Sequence, residues 1–434
     1  MGLFGIGKLN AAVVGTGYMA GRMAAAMSAS TRMRPYAVVS RDMDRALEFG
    51  RENGFRKAYD SMQTMLDDKK VDLVYIATPA SEHAEAIRIC IERGKPVLCE
   101  TPLALTSRDA EDILSLARSQ NVLVAEAINT RFLPFWNQVV GVLSSGTIGM
   151  PVMLTATFSA DIEHISRLQR PALGGGALGD LGYYLLNFAV MAFGDDIVKV
   201  QSLGVFADTG VDRQDSISLQ YRDGRIAVLS CSMSGNGANM GIIQGTKGHL
   251  VIENIKNFES VTVYDSGHNR TGHYKRPRQR SGYEYEVDAF AEAIQQGWAE
   301  CPAVPHSYTV SLHHMMDFIR RQVGVSYENI QQIPMNHYAQ QQDVIDAQTQ
   351  NVIDAQPQDV IDAQAQEVID AQAQDVIVGP AHSGDDGQIP DVIDAQPQVH
   401  ETVTAEPEDS KASGTSAPET PTASADDGTS PETE

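Results

Sequence analysis

The sequence predicts an α/β chain in three parts. A doubly wound parallel domain covers residues 1–130, an α+β domain with a mostly antiparallel sheet covers 131–330, and a disordered acidic tail covers 331–434. Three observations carry this reading. Short apolar runs alternate with amphipathic stretches as far as Gly149, period-two alternation sets in after Pro151, and a six-residue unit recurs beyond Gln331.

The apolar runs are Ala11–Val14, Tyr36–Val39, Leu73–Ile76, Pro96–Cys99 and Val122–Val124. They do not alternate with polar residues, which marks strands buried on both faces of a parallel sheet. Helices are expected between them, at Ser81–Arg93 with Ala84, Ile87 and Ile91 at helical spacing, and at Ser107–Ser119 with Ile113, Leu114 and Leu116. Strand, helix and strand in succession make the βαβ unit of a doubly wound domain.

After Pro151, the segments Val152–Phe158, Ser216–Tyr221, Ile226–Ser232 and His249–Ile252 read as half-buried strands. Arg222-Asp223-Gly224-Arg225 is a turn that joins two of them into a hairpin. Helices are expected over Leu178–Phe193, Tyr283–Gln296 and Tyr308–Val323.

In the tail, Asp-Val-Ile-Asp-Ala-Gln begins at Asp343, Asp359 and Asp391, with variant copies from Asn351 and Glu367. The spacing of the clustered copies fits no coiled-coil repeat. A single Val-Ile pair per copy buries too little apolar area to offset the entropy of ordering. A tether for an unknown protein partner is the alternative to plain disorder.

The 434 residues carry 33 basic and 56 acidic side chains, a formal charge of −23. From Met335 onward, 21 acidic residues stand against Lys411 alone, so the body before it is near neutral. That balance argues against nucleic acid and anionic membrane as partners. Cys90, Cys99, Cys231 and Cys301 are scattered, with no CxxC pair, which points to neither a zinc site nor a disulfide framework. No metal is expected. No run reaches the apolar length of a membrane span, and the cytoplasm is the expected compartment.

The first strand ends in Gly15-Thr16-Gly17-Tyr18-Met19-Ala20, a GxGxxA that opens a helix. The two glycines allow a tight turn and close approach of a pyrophosphate, and Ala20 allows close helix–strand packing. In this context the motif predicts a dinucleotide-binding Rossmann domain. At the end of the second strand, where an acidic residue would hold the ribose of NAD, stand Ser40-Arg41-Asp42. Arg41 offers planar donors suited to a 2′-phosphate and Ser40 adds a hydroxyl, so NADP is expected, with NAD as the alternative.

Several segments then appear in order. They are Ala77-Thr78-Pro79 with His83, Gly94-Lys95-Pro96-Val97-Leu98-Cys99-Glu100-Thr101-Pro102, Glu126–Pro134, and Arg167-Leu168 ahead of Gly174-Gly175-Gly176-Ala177-Leu178-Gly179-Asp180-Leu181-Gly182-Tyr183-Tyr184. Over residues 9–328 the chain resembles the Gfo/Idh/MocA oxidoreductases, and within them the dihydrodiol and D-xylose dehydrogenase branch. The resemblance implies a second domain with a large open-faced sheet that supports homodimers, and an active site between the domains. It also implies cofactor contacts from Gly15 to Met19, at Ser40 and Arg41, at Thr78, Pro79 and His83, and at Glu100 and Pro102. Asp180 and Tyr184 match the family's catalytic pair, and Arg167 matches a position near the substrate. A sugar, polyol or cyclic diol is the substrate class implied.

One position departs from the pattern. The family's lysine in its E-K-P motif is Thr101 here. An ammonium beside a phenol favours the ionised form by about one to three pH units, so its loss corresponds to roughly 1.4–4 kcal/mol where proton transfer limits the rate. Thr101 supplies at most a hydrogen bond. The sequence therefore leaves an enzyme with another source of charge, or a nucleotide-binding scaffold with impaired turnover. The resemblance adds a third outcome, redox-assisted glycosidase chemistry with tightly held NAD, against which Ser40-Arg41 speaks.

Overall fold

The computed structural model describes residues 7–325. The acidic repeats and the expectation of disorder lie outside them. The first sheet has six parallel strands in the order β3-β2-β1-β4-β5-β6. These are β1 (Leu9–Val14), β2 (Met33–Val39), β3 (Lys57–Tyr59), β4 (Leu73–Ile76), β5 (Val97–Glu100) and β6 (Val124–Ala127). The order reverses beside β1, as in a doubly wound dinucleotide fold, where ligands sit outside the carboxyl ends of the strands. Ala11, Ala12 and Val13 of β1 and every residue of β4 are buried, as their unbroken apolar runs require.

Crossover helices α1 (Tyr18–Ala29), α2 (Met43–Glu52), α3 (Met62–Leu66), α4 (Ala80–Glu92) and α5 (Ser107–Ser119) connect these strands. Asp42 caps α2 by accepting from the Asp44 and Arg45 amides, and Thr106 caps α5 through Asp109. A further helix, α6 (Trp136–Ser144), leads into the second sheet.

That sheet has eight strands. They are β7 (Pro151–Ser159), β8 (Ile197–Phe206), β9 (Asp212–Tyr221), β10 (Ile226–Ser232), β11 (Met240–Gly245), β12 (Gly248–Glu253), β13 (Ser260–Asp265) and β14 (Arg270–Lys275), in the order β14-β13-β12-β11-β7-β10-β9-β8. All neighbours are antiparallel except β7 and β10. The turn at Arg222–Arg225 closes the β9–β10 hairpin with Gly224 at φ 90°. Four of these strands, β8, β11, β13 and β14, add to those the alternation pattern identifies.

One face of the sheet packs on α7 (Tyr183–Phe193), where Gly241 lets the Phe188 ring lie on β11: a Cβ at 241 would stand 2.4 Å from that ring. On β8, Leu203, Val205 and Val198 remain exposed. The last two helices, α8 (Tyr283–Gln296) and α9 (His306–Val323), return to the first domain and pack on α1 and α5.

Candidate active site

At the carboxyl edge of the first sheet, β1 runs into Gly15 at φ 107°. A Cβ there would stand 2.5 Å from the Ala77 carbonyl oxygen, so only glycine lets this turn pass the turn that follows β4. Gly17 then begins α1. No side chain caps that terminus and its first turn holds no acidic residue, so the amides beyond Thr16, at Tyr18 and Met19, present an end suited to an anion. Thr78 Oγ1 is buried beside this edge and has no hydrogen-bond partner among the described residues. A buried hydroxyl in that state is costly unless a ligand atom meets it. The glycine cradle, the uncapped helix and this hydroxyl fit a dinucleotide pyrophosphate.

Ser40 and Arg41 follow β2. The Ser40 amide donates to the Tyr59 carbonyl at 3.1 Å, and its hydroxyl accepts from the Asp42 amide at 3.4 Å. Arg41 is largely solvent-exposed, and its Nη1 lies 3.6 Å from Glu82 in the first turn of α4. Arg41 is expected from the sequence to meet a 2′-phosphate, and here its guanidinium also pairs with Glu82.

The loop after β5 carries Thr101 and a cis bond to Pro102. It is held from several elements. His83, buried after Pro79, lies between two carbonyls, with Nδ1 2.9 Å from Pro102 O and Nε2 2.7 Å from Thr78 O. Burial lowers its pKa, and a neutral ring donates to only one of these oxygens. The Leu103 amide donates to Glu126 at 2.7 Å, the Ala104 amide donates to His313 Nε2 at 3.2 Å, and Arg320 donates to the Leu105 carbonyl at 2.6 Å. Glu126 also accepts from the Tyr183 hydroxyl at 2.6 Å. Burial pushes its carboxyl up to about 7 against those hydrogen bonds.

The second domain supplies the facing wall. Gly174 packs so closely that a Cβ would stand 2.5 Å from Leu105 Cδ2 and 3.3 Å from the Ala80 Cβ. This contact sets the glycine run against both first-domain loops. Asp212 accepts from the Leu178 amide at 2.6 Å and starts the helix that follows. Its first turn, Leu178–Gly182, is a π-helix rather than the regular α-turn the sequence predicts, a feature frequent at functional sites. Asp180 lies in this turn and Tyr184 just beyond it. Arg167 grips Asp180 with two nitrogens at 3.0–3.3 Å. Tyr184 is buried, edge-on to Phe158 with ring centroids 6.0 Å apart.

Three residues absent from the sequence reading complete the surroundings. Lys256, buried in the β12–β13 loop, places Nζ 5.6 Å from the centroid of the Tyr184 ring. Glu286 of α8 is buried, and neither carboxyl oxygen has a hydrogen-bond partner among the described residues. Tyr75 of β4 donates its hydroxyl to Glu100. Burial pushes Glu100 up to about 7, while the Tyr75 hydrogen bond and the Lys256 ammonium pull it down. None of the three belongs to a recognisable motif. Lys95, the lysine nearest Thr101 in sequence, donates to Val71 O at 2.6 Å at the other end of β5.

A glycine-cradled edge on a doubly wound sheet, followed by a second domain that carries a buried phenol and an Arg-gripped carboxylate, fits the class of two-domain nucleotide-dependent oxidoreductases. The chain belongs to the Gfo/Idh/MocA oxidoreductase family. Residues 9–128 match its NAD-binding Rossmann fold and residues 136–251 match its C-terminal domain. The chain is 32% identical over 326 residues to trans-1,2-dihydrobenzene-1,2-diol dehydrogenase of Mus musculus, covering 73% of this chain and 97% of that one. It is 31% identical to the Homo sapiens dehydrogenase of the same name, over 67% of this chain and 89% of that one. Among solved structures it is similar to a 3-ketoreductase from Actinomadura kijaniata in complex with NADP and TDP-benzene. That match has 25% identity and a TM-score of 0.68, and covers 73% of this chain and 98% of the other.

Proposed function

We propose that the chain is an NADP-dependent dehydrogenase that interconverts a hydroxyl and a carbonyl on a sugar, polyol or cyclic diol. The observation that carries this reading is the buried Tyr184 phenol four residues beyond Asp180, on a helix whose Tyr183 hydroxyl donates to Glu126 of β6 in the first sheet. When bound, the nicotinamide supplies or takes up the hydride. Tyr184 exchanges the proton of the substrate hydroxyl. The Asp180–Arg167 pair orients substrate oxygens through charge-assisted hydrogen bonds. Thr101 contributes at most one hydrogen bond. Arg41 and Ser40 support NADP, as does the NADP bound to the similar 3-ketoreductase. The exposed sheet face, with Leu203 and Val205, suits a homodimer.

The rival reading is a nucleotide-binding scaffold without turnover, and it rests on Thr101. Titration of the purified chain with NADPH and NADH, followed by a screen of sugars and diols, separates the two. Turnover that Tyr184→Phe abolishes is the expected result. Tight cofactor binding with no turnover on any substrate would establish the scaffold instead.

A further inference from the structure

Resting on the role proposed for Tyr184, we propose that Lys256 is the positioning residue that replaces the ammonium missing at Thr101, delivering it from the sheet domain rather than from the β5 loop. The two domains would then exchange the source of one charge while the phenol stays in place.

Geometry carries the inference. Lys256 is only 9% exposed, and its Nζ stands over the Tyr184 ring at 5.6 Å from the centroid. A buried ammonium is costly unless negative or polarisable groups face it. The loop that holds it is built rather than loose. The Lys256 carbonyl accepts from Asn129 Nδ2 at 3.2 Å, and the next residue, Asn257, is fixed on several sides. The Asn257 amide donates to Asn254 Oδ1 at 3.0 Å, its carbonyl accepts from Arg276 at 2.9 Å, and its Oδ1 accepts from Gln279 at 2.7 Å. Asn129 begins the short turn directly after β6, so the loop is tied to the same edge that carries the dinucleotide motif.

Other charged groups share the space and set the controls. Glu100 feels both Lys256 and Arg167, and Glu286 of α8 faces Glu100 and Tyr75. Tyr283 adds a second phenol, and Asp180 is held by Arg167. Lys256 has two candidate roles among these groups. It acts on Tyr184 directly, or it serves only as counter-ion to Glu100.

The test reads the phenol itself and needs neither cofactor nor substrate. Ultraviolet titration of the full chain, minus the same titration of Tyr184→Phe, isolates the ionisation of Tyr184. Lys256→Met is expected to move that midpoint upward by about one unit or more, a tenfold loss of phenolate at fixed pH. Lys256→Arg is expected to hold it near the wild-type position, and adding Thr101→Lys to Lys256→Met is expected to bring it back. The same upward shift is expected in a Glu100→Gln background. Should Lys256→Met fail to fold, Lys256→Gln takes its place. A midpoint that ignores Lys256, or a shift that vanishes with Glu100→Gln, overturns the inference. The proposed activity stands or falls separately. A midpoint that follows Lys256 in a chain with no turnover would overturn the enzyme reading alone, and rapid turnover with an unmoved midpoint would overturn only this one.

Discussion

Arg41, on the turn after β2, reaches Glu82 in the first turn of α4, with 3.6 Å between Nη1 and Oε1. One ion pair therefore spans two turns of the dinucleotide edge. Burial raises the Glu82 carboxyl pKa and Arg41 pulls it down. A 2′-phosphate that pairs with Arg41, as proposed, would have to compete with this carboxylate, so Glu82 is expected to act as a brake on NADP affinity. Arg41→Ala is expected to weaken NADPH by about tenfold or more and NADH little, whereas Glu82→Gln is expected to tighten NADPH severalfold. Fluorescence titration with both cofactors measures it. Equal effects on the two would remove Arg41 from the phosphate site.

Asp180→Asn keeps the size of the side chain and removes the charge that Arg167 grips. Both partners are about a quarter exposed, so thermal stability is expected to change by less than about 1 kcal/mol. Turnover is expected to fall by about tenfold or more, because on the proposed mechanism Arg167 and the substrate hydroxyls lose a fixed anionic partner. Unchanged kcat/KM would take the pair out of the reaction.

Glu126 predicts a pH effect with a definite sign. Its carboxyl is raised from 4.5 to about 7, so across that window the native state keeps a proton that the unfolded chain has released. Its contribution to stability is therefore present at low pH and is lost as pH rises toward 7, by up to about 3 kcal/mol. His313, lowered to about 4, works in the opposite direction over part of the range. The informative quantity is thus the Tm of wild type minus that of Glu126→Gln, which is expected to decline from pH 5 to 7.5. A flat difference would show that Glu126 is ionised in the native state like an ordinary carboxylate.

Gly15→Ala and Gly17→Ala should separate folding from binding. At Gly15 a methyl meets the Ala77 carbonyl and the backbone has positive φ, a strain of roughly 1–3 kcal/mol. At Gly17 nothing lies within 4 Å. Gly15→Ala is expected to lower Tm by several degrees, while Gly17→Ala leaves Tm nearly unchanged and weakens the dinucleotide only. Calorimetry with and without NADPH compares them, and equal Tm losses would contradict the assigned geometry.

The parts of the fold that could be read from sequence are those whose residues see one environment. β1 and β4 are apolar throughout because both faces are covered, and Ser107–Ser119 shows its helical stripe because only one face is. β3 escapes notice because Lys57-Ala58-Tyr59 is a short, half-exposed edge. β8 escapes because Val198, Leu203 and Val205 face outward, and β14 because Arg270–Lys275 is almost wholly exposed. The site divides along the same line. Gly15, Asp180 and Tyr184 sit in motifs whose spacing carries meaning. Lys256 and Glu286 reach the site through tertiary proximity alone, and a lone lysine in a loop or a lone glutamate in a helix has no spacing to betray it, whereas Glu126 opens the Glu126–Pro134 segment.

His313 and Arg320 of α9 hold Ala104 and Leu105, while the Ser107 amide donates to Asp317 of α9 at 2.8 Å. The segment that steadies the loop after β5 is therefore among the last of the body to leave the ribosome. During synthesis the strands of the first sheet are complete at Ala127, but the Thr101 loop waits for α9 to emerge. Stalled nascent chains ending before His306 are expected to bind dinucleotide-affinity resin yet be cut by protease between Thr101 and Thr106, and chains extended past Val325 are expected to resist. Equal protection in both would mean that Glu126 and His83 suffice to hold the loop.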